Sequence, residues 1–104
     1  MATSREIAEG IQVQGSDEEI VYTLTTTNWG SSPSSPAVAV YSVVGDTYTD
    51  VSTGVLTGSA SASNDVITLP KISGLTAGTD YRVEVQFTIS GNVFEAYAKI
   101  VCER

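Results

Sequence analysis

The chain has no histidine and a single cysteine, Cys102. The first absence removes the commonest general base and the commonest transition-metal ligand together. The second rules out an internal disulfide. Charge is scarce as well: Asp, Glu, Lys and Arg supply 16% of the 104 residues, well below the usual quarter. Basic residues are the scarcest of these. Five of them (Arg5, Lys71, Arg82, Lys99 and Arg104) stand scattered against 12 acids, for a net charge of −7. Phosphate recognition needs clustered positive charge, so no nucleic-acid partner is expected, and no anionic membrane for the same reason. No apolar run reaches the roughly 18 residues of a spanning helix. The first nine residues lack an apolar centre and carry Arg5, Glu6 and Glu9, so they do not read as a secretory signal. The expectation is a complete small protein made in the cytoplasm, which stays there or leaves inside an assembled particle.

What is present is a polar, uncharged β-former. Ser and Thr account for 26 of the 104 residues, and nine are Gly. From Tyr81 to Ile89 the apolar residues Tyr81, Val83, Val85, Phe87 and Ile89 alternate with Arg82, Glu84, Gln86 and Thr88. This period of two predicts a strand with one buried and one wet face. Just ahead of it, Leu75-Thr76-Ala77-Gly78-Thr79-Asp80-Tyr81 has the chemistry of a corner between two sheets. Gly78 can take a positive φ, and Tyr81 can bury its ring while its hydroxyl reaches an upstream backbone group.

Along the chain, residues 1–10 read as an N-terminal arm, with Ser4–Gly10 able to form one helical turn, and residues 11–104 as a single domain. Short strands are expected at Ile11–Val13 (an edge), Glu19–Thr26, Ala37–Val44, Val55–Ala62 (weak, with a bulge or a close backbone approach at Gly58), Val66–Leu69 and Val93–Cys102, and a short strand or loop at Thr47–Val51. Pro70 is expected to stop its strand, and Gly45-Asp46, Asn64-Asp65 and Ser90-Gly91-Asn92 to make turns. Seven or eight strands at spacings near ten residues are the pattern of a β-sandwich. On the last strand Phe94, Ala96, Ala98, Ile100 and Cys102 are placed inward, so Cys102 reads as a small buried hydrophobe and not a nucleophile.

Candidate chemistry is thin. Asp17-Glu18-Glu19 has the charge for half of a calcium site, but hard cations need six to eight oxygens from several segments, and a solvated loop is the preferred reading. Asp46 and Asp50 are assigned to turn chemistry and solvation. A Ser–Lys dyad through Lys71 or Lys99 has no supporting motif, no acid lies in an apolar context, and no phosphate-cradling glycine pattern occurs. No enzyme activity, metal or cofactor is expected. The segments that do not alternate are the candidate contact surfaces: the arm with Ile7, the Thr27–Pro36 loop with Trp29, Ser32 and Pro33, and the Gly45–Asp50 turn with Tyr48. Trp29, the lone tryptophan, either plugs the end of the core or faces out as a binding anchor.

The corner from Leu75 through Gly78 to Tyr81 resembles the one before strand F of fibronectin type III domains, with Ala77 where that family usually has proline. The match covers about a fifth of the chain. Together with Ile67-Thr68-Leu69, Tyr81-Arg82-Val83-Glu84-Val85 and the closing hairpin, the chain looks like the small immunoglobulin-like or fibronectin-like proteins of tailed-bacteriophage virions. That resemblance implies an all-β, immunoglobulin-like (fibronectin type III-like) sandwich of 7–8 antiparallel strands. It also implies a non-enzymatic capsid decoration protein in the virion, whose partner is the major capsid protein or another virion component. The alternatives are a head–tail connector, neck or tail accessory protein, and a module binding carbohydrate or a cell surface. In the last case exposed Trp29, Tyr41, Tyr48 and Tyr97 would stack on surface glycans.

Overall fold

The computed structural model describes residues 4–6, 12–26, 30 and 32–103. Within them the strands are β1 Ser4–Glu6, β2 Gln12–Gly15, β3 Thr23–Thr25, β4 Ser34–Val44 and β5 Thr47–Asp50. One helical turn follows, α1 Ser52–Val55. Then come β6 Leu56–Thr57, β7 Ser61–Ser63, β8 Val66–Thr68, β9 Lys71–Ile72, β10 Asp80–Ile89 and β11 Asn92–Glu103.

The period-two stretch becomes β10, and all five of its odd-numbered residues are buried. It pairs antiparallel on both sides, with β11 (Val83↔Ala98) and with β4 (Val83↔Val40). The large sheet runs β11–β10–β4–β5, with β1 and β2 both on the outer edge of β11. A second sheet is ordered β3–β8–β7. The pair β6–β9 extends it, because Ile20 bridges Ile72 and Leu69 N–H donates to Tyr22 O. Leu24 and Ile67 from the second sheet share one core with Val40, Val85, Phe87 and Ile100 from the first. The result is an all-β, sandwich-like pair of layers. Each fully buried side chain of this kind contributes about 1.5–3 kcal/mol, and the Phe87 and Phe94 rings stack at 5.9 Å. No helix among the described residues is long and apolar enough to cross a membrane.

Several expectations need correction. The strands are not all antiparallel: β1 and β2 run parallel to β11, as in Arg5↔Ala96 and Val13↔Val101. They cover an edge that would otherwise present unpaired backbone groups. Ser4–Glu6, expected to begin a helical turn, is therefore extended. Val55, expected to open a strand, instead closes α1, because Ser52 is tied down on two sides. Its N–H donates to Asp50 Oδ1 (2.9 Å), and its Oγ accepts from Val40 N–H (2.9 Å). The strand before Pro70 ends as expected, at Thr68, and Lys71–Ile72 form a separate short strand paired with β6 rather than with β3 or β7. Along β4, Ala37 faces Gln86 but Ser34 faces Thr88, so one extra residue bulges out. Ser35 takes φ +51° there, beside Pro36, and a bulge is where a strand accepts proline.

Two polar side chains tie the layers together. Gln14 is wholly buried. Its amide donates to Glu18 O (3.0 Å) and Ile72 O (2.8 Å), and its carbonyl accepts from the Tyr22 hydroxyl (2.8 Å). Burial first, and the Glu18 charge second, push the Tyr22 phenol above its ordinary pKa. Tyr81, 5% exposed, accepts a hydrogen bond from Thr76 N–H (2.8 Å) at its hydroxyl. Leu75 is buried beside it, Gly78 has φ +84°, and Gly78 N–H donates to Cys102 O.

Tyr81→Phe removes one partly buried hydrogen bond and keeps the ring. It should lower unfolding free energy by about 1 kcal/mol with an unchanged urea m-value. A variant as stable as the parent would show that the Thr76 bond contributes nothing. Gln14→Leu strands three partners and should cost more, about 2–3 kcal/mol by the same measurement.

Candidate functional site

Three stretches meet at one end of the sandwich: Thr26 with Gly30, Ser32 and Pro33, the Asn64-Asp65 turn and the Ser90-Gly91 turn. Thr26, fully buried, organises the first two. Its N–H donates to Asp65 O (2.7 Å), and its hydroxyl lies 3.3 Å from both Gly30 O and Asp65 O. Asp65 Oδ1 then accepts from Ser32 N–H (3.2 Å). Gly30 sits at φ +146°, and a Cβ there would lie 2.8 Å from Ile89 Cγ2, so the loop rests directly on the end of β10.

This end carries the backbone strain of the molecule. Among the described residues, four non-glycine residues have positive φ: Ser32 (56°), Ser35 (51°), Asn64 (54°) and Ser90 (50°). All lie in or beside these loops. Asparagine tolerates the left-handed region, but serine has no such preference, and each such residue costs roughly 1 kcal/mol or more. At Ser90-Gly91 both central residues have positive φ, which matches the twist of the flanking strands.

The predicted contact residues are not gathered into one patch. Ser32 is exposed at this end. Pro33 is buried, which removes it from the candidate contacts. Tyr48 is 52% exposed but lies at the far end, since its partner Val43 faces Asp80 while Ser34 faces Thr88. Eight residues of strand separate the two, roughly 27 Å. Ile7 and Trp29 lie outside the described residues. Leu75, Gly78 and Tyr81 form the corner described above.

The outer face of the large sheet holds a second constellation. Arg82 Nε is 2.8 Å from Glu84 Oε2, and its guanidinium carbon lies 3.8 Å from the centre of the Tyr97 ring and 5.8 Å from that of Tyr48. Tyr41 is Arg82's register partner on β4. Burial raises the Tyr41 phenol above its ordinary value; Glu84, Asp50 and Glu95 add to the rise and Arg82 opposes it. Three of the four aromatics proposed for glycan stacking thus surround one arginine. Sequence reading missed Arg82, because only the cross-strand register puts it among tyrosines from three other strands.

Two further acids, Glu18 and Asp50, serve turns. Glu18 Oε1 accepts from Gly15 N–H, and Glu19 lies 3.8 Å from Lys71 at the surface. Hydrogen bonds from Ser52 hold the Asp50 carboxyl below its usual range. Among the described residues no group of three or more His, Cys, Asp or Glu is placed to hold a metal ion. A cleft of about 390 Å³ between the sheets is walled by Leu24, Leu69, Ile72, Val85 and Ile100. Its one titratable group, Tyr22, is committed to Gln14. Burial pushes the Cys102 thiol up, at 1% exposure. No protein-family model matches the chain, and no curated protein matches it.

Gly30→Ala adds both a strained φ and a contact with Ile89. It should destabilise the domain by about 1–3 kcal/mol in chemical denaturation; parent-like stability would show that the loop shifts freely off β10. The Cys102 thiol should react with a thiol-specific chromophore at pH 8 far more slowly than a free cysteine, and at the free rate in unfolding concentrations of urea. Immediate labelling of the native protein would contradict its burial.

Proposed function

We propose that the chain is a non-enzymatic structural protein with an immunoglobulin-like, fibronectin type III-like sandwich. In this reading it is a capsid decoration protein of a tailed-phage virion that stabilises the head by binding across capsid subunits. The strand order supports the fold family: β2–β11–β10–β4–β5 facing β3–β8–β7, with a tyrosine corner leading into β10. The virion setting rests on the sequence resemblance alone.

The observation that carries the contact assignment is the concentration of left-handed serines and Asn64 in loops at one end. Folding alone would favour glycine at these positions. Strain that is kept at one end and held by the Thr26–Asp65–Ser32 bonds marks that end as the surface shaped for a partner. A decoration protein needs little affinity per copy, because repetition over a shell multiplies weak contacts.

The test is co-sedimentation of the protein with assembled phage heads lacking it, followed by heat challenge of the particles. Bound protein and a raised head-disruption temperature are expected. Ser32→Arg and Asn92→Arg, both at exposed positions, should weaken binding by about tenfold or more while far-UV circular dichroism stays unchanged. No association with any head, connector or tail component would overturn the virion reading. Full binding by both arginine variants would overturn the loop-end assignment.

A further inference from the structure

The far end of the same sheet carries a different feature. A hollow of about 280 Å³ is lined by Val43, Tyr48, Asp80, Arg82, Lys99 and Val101, with the buried strand residues Tyr81 and Ile100 also bordering it. The register explains the grouping. Asp80 faces Val43 on one side and Val101 on the other, and Tyr48 is the next residue outward from Val43. Arg82 and Lys99 form the neighbouring row. One row therefore holds two valines with a carboxylate between them and Tyr48 at its end, and the two cations stand in the next row.

The charges in this hollow do not cancel one another. Arg82 is paired with Glu84 and stacked on Tyr97. Asp80 and Lys99, on adjacent rows of adjacent strands, form no ion pair within 4.0 Å among the described residues. A ligand that satisfies both must donate to a carboxylate and accept from an ammonium a few ångströms away, while presenting an apolar face to Tyr48 and the valines. Neighbouring hydroxyls on a ring do this, since each hydroxyl is both donor and acceptor, and the C–H face of the ring packs on an aromatic. Tyr48 offers that surface at 52% exposure, with Arg82 5.8 Å from its ring centre. The volume lies at the small end of ligand sites, which favours a single ring over an extended chain.

We propose that this hollow binds a pyranose sugar through a vicinal pair of hydroxyls held between Asp80 and Lys99, with the ring packed on Tyr48. The site is separate from the loop end, so its fate and that of the capsid reading are independent. A zwitterionic amino acid is the competing occupant, because its ammonium and carboxylate could bridge the same two groups.

The experiment is a titration of the full, ¹⁵N-labelled chain with the methyl glycosides of glucose, mannose and galactose, and separately with glycine, followed by amide chemical shifts. At least one glycoside should give saturable shifts in the millimolar range, centred on Val43, Tyr48, Asp80, Lys99 and Val101. Tyr48→Ala and Asp80→Asn should each weaken binding by about tenfold. Both residues are exposed, and matching spectra away from the hollow will show that the variants are folded. The proposal is overturned if no glycoside gives saturable shifts, if the shifts centre elsewhere, if both variants bind like the parent, or if glycine binds the same residues as tightly as the sugars.

Discussion

Everything in this fold hangs on β10 having no free edge. All ten of its residues pair with β11 on one side, and eight of them pair with β4 on the other. Its inward side chains, from Tyr81 to Ile89, are all at least 94% buried. A strand paired twice cannot slip by one residue without sending Val83, Val85 and Phe87 into water and Arg82, Glu84 and Gln86 into the core. The register of the whole large sheet follows from that penalty. The corner at Tyr81 and the Gly30–Ile89 contact fix where the two ends of β10 lie.

The layers are joined by polar groups as well as apolar ones. Gln14 links β2 to Ile72 and Tyr22, Thr26 links the end of β3 to the Asn64-Asp65 turn, Ser52 links α1 to Val40, and Tyr81 links β10 to Thr76. Among the described residues no buried side-chain nitrogen or oxygen lacks a partner. That closure matters in a chain so rich in Ser and Thr, because an unpaired buried hydroxyl costs as much as several methylenes contribute.

Much of this was legible in the sequence, and what was missed has a common cause. The inward sets of β10 and β11, the buried Cys102 and the turns at Gly45, Asn64 and Ser90 come from local alternation and turn chemistry, which need no knowledge of partners. The parallel placement of β1 and β2 and the helical turn at Ser52 depend on which backbone lies alongside. Composition does not encode that. The same limit applies to the candidate sites. Ser32 and Tyr48 were picked out as loop and turn residues, and both are exposed. Yet Pro33, chosen on the same grounds, is buried, and the Arg82 cluster exists only through register. Loop chemistry identifies turns well, but it does not say which turn residues face solvent.

The two ends of the large sheet illustrate two ways of making a surface specific. At the Ser32 end the side chains are small and polar, so shape resides in the backbone. Left-handed serines hold that shape only because Asp65 and Thr26 bond the loops to one another and Gly30 packs on Ile89. Such a surface keeps its shape at a cost in stability. At the Tyr48 end the backbone is regular strand and the exposed side chains are an aromatic ring, an acid and a cation at strand spacing. That arrangement takes little from the stability of the fold, because Tyr48, Asp80 and Lys99 are exposed and pack against almost nothing in the core. Its side chains can therefore change without disturbing the buried face of β10, whereas the loop end rests on that face at Ile89. The strained end is accordingly the part of the molecule most constrained by its own folding, and the side-chain end is the part most free to acquire or lose a ligand.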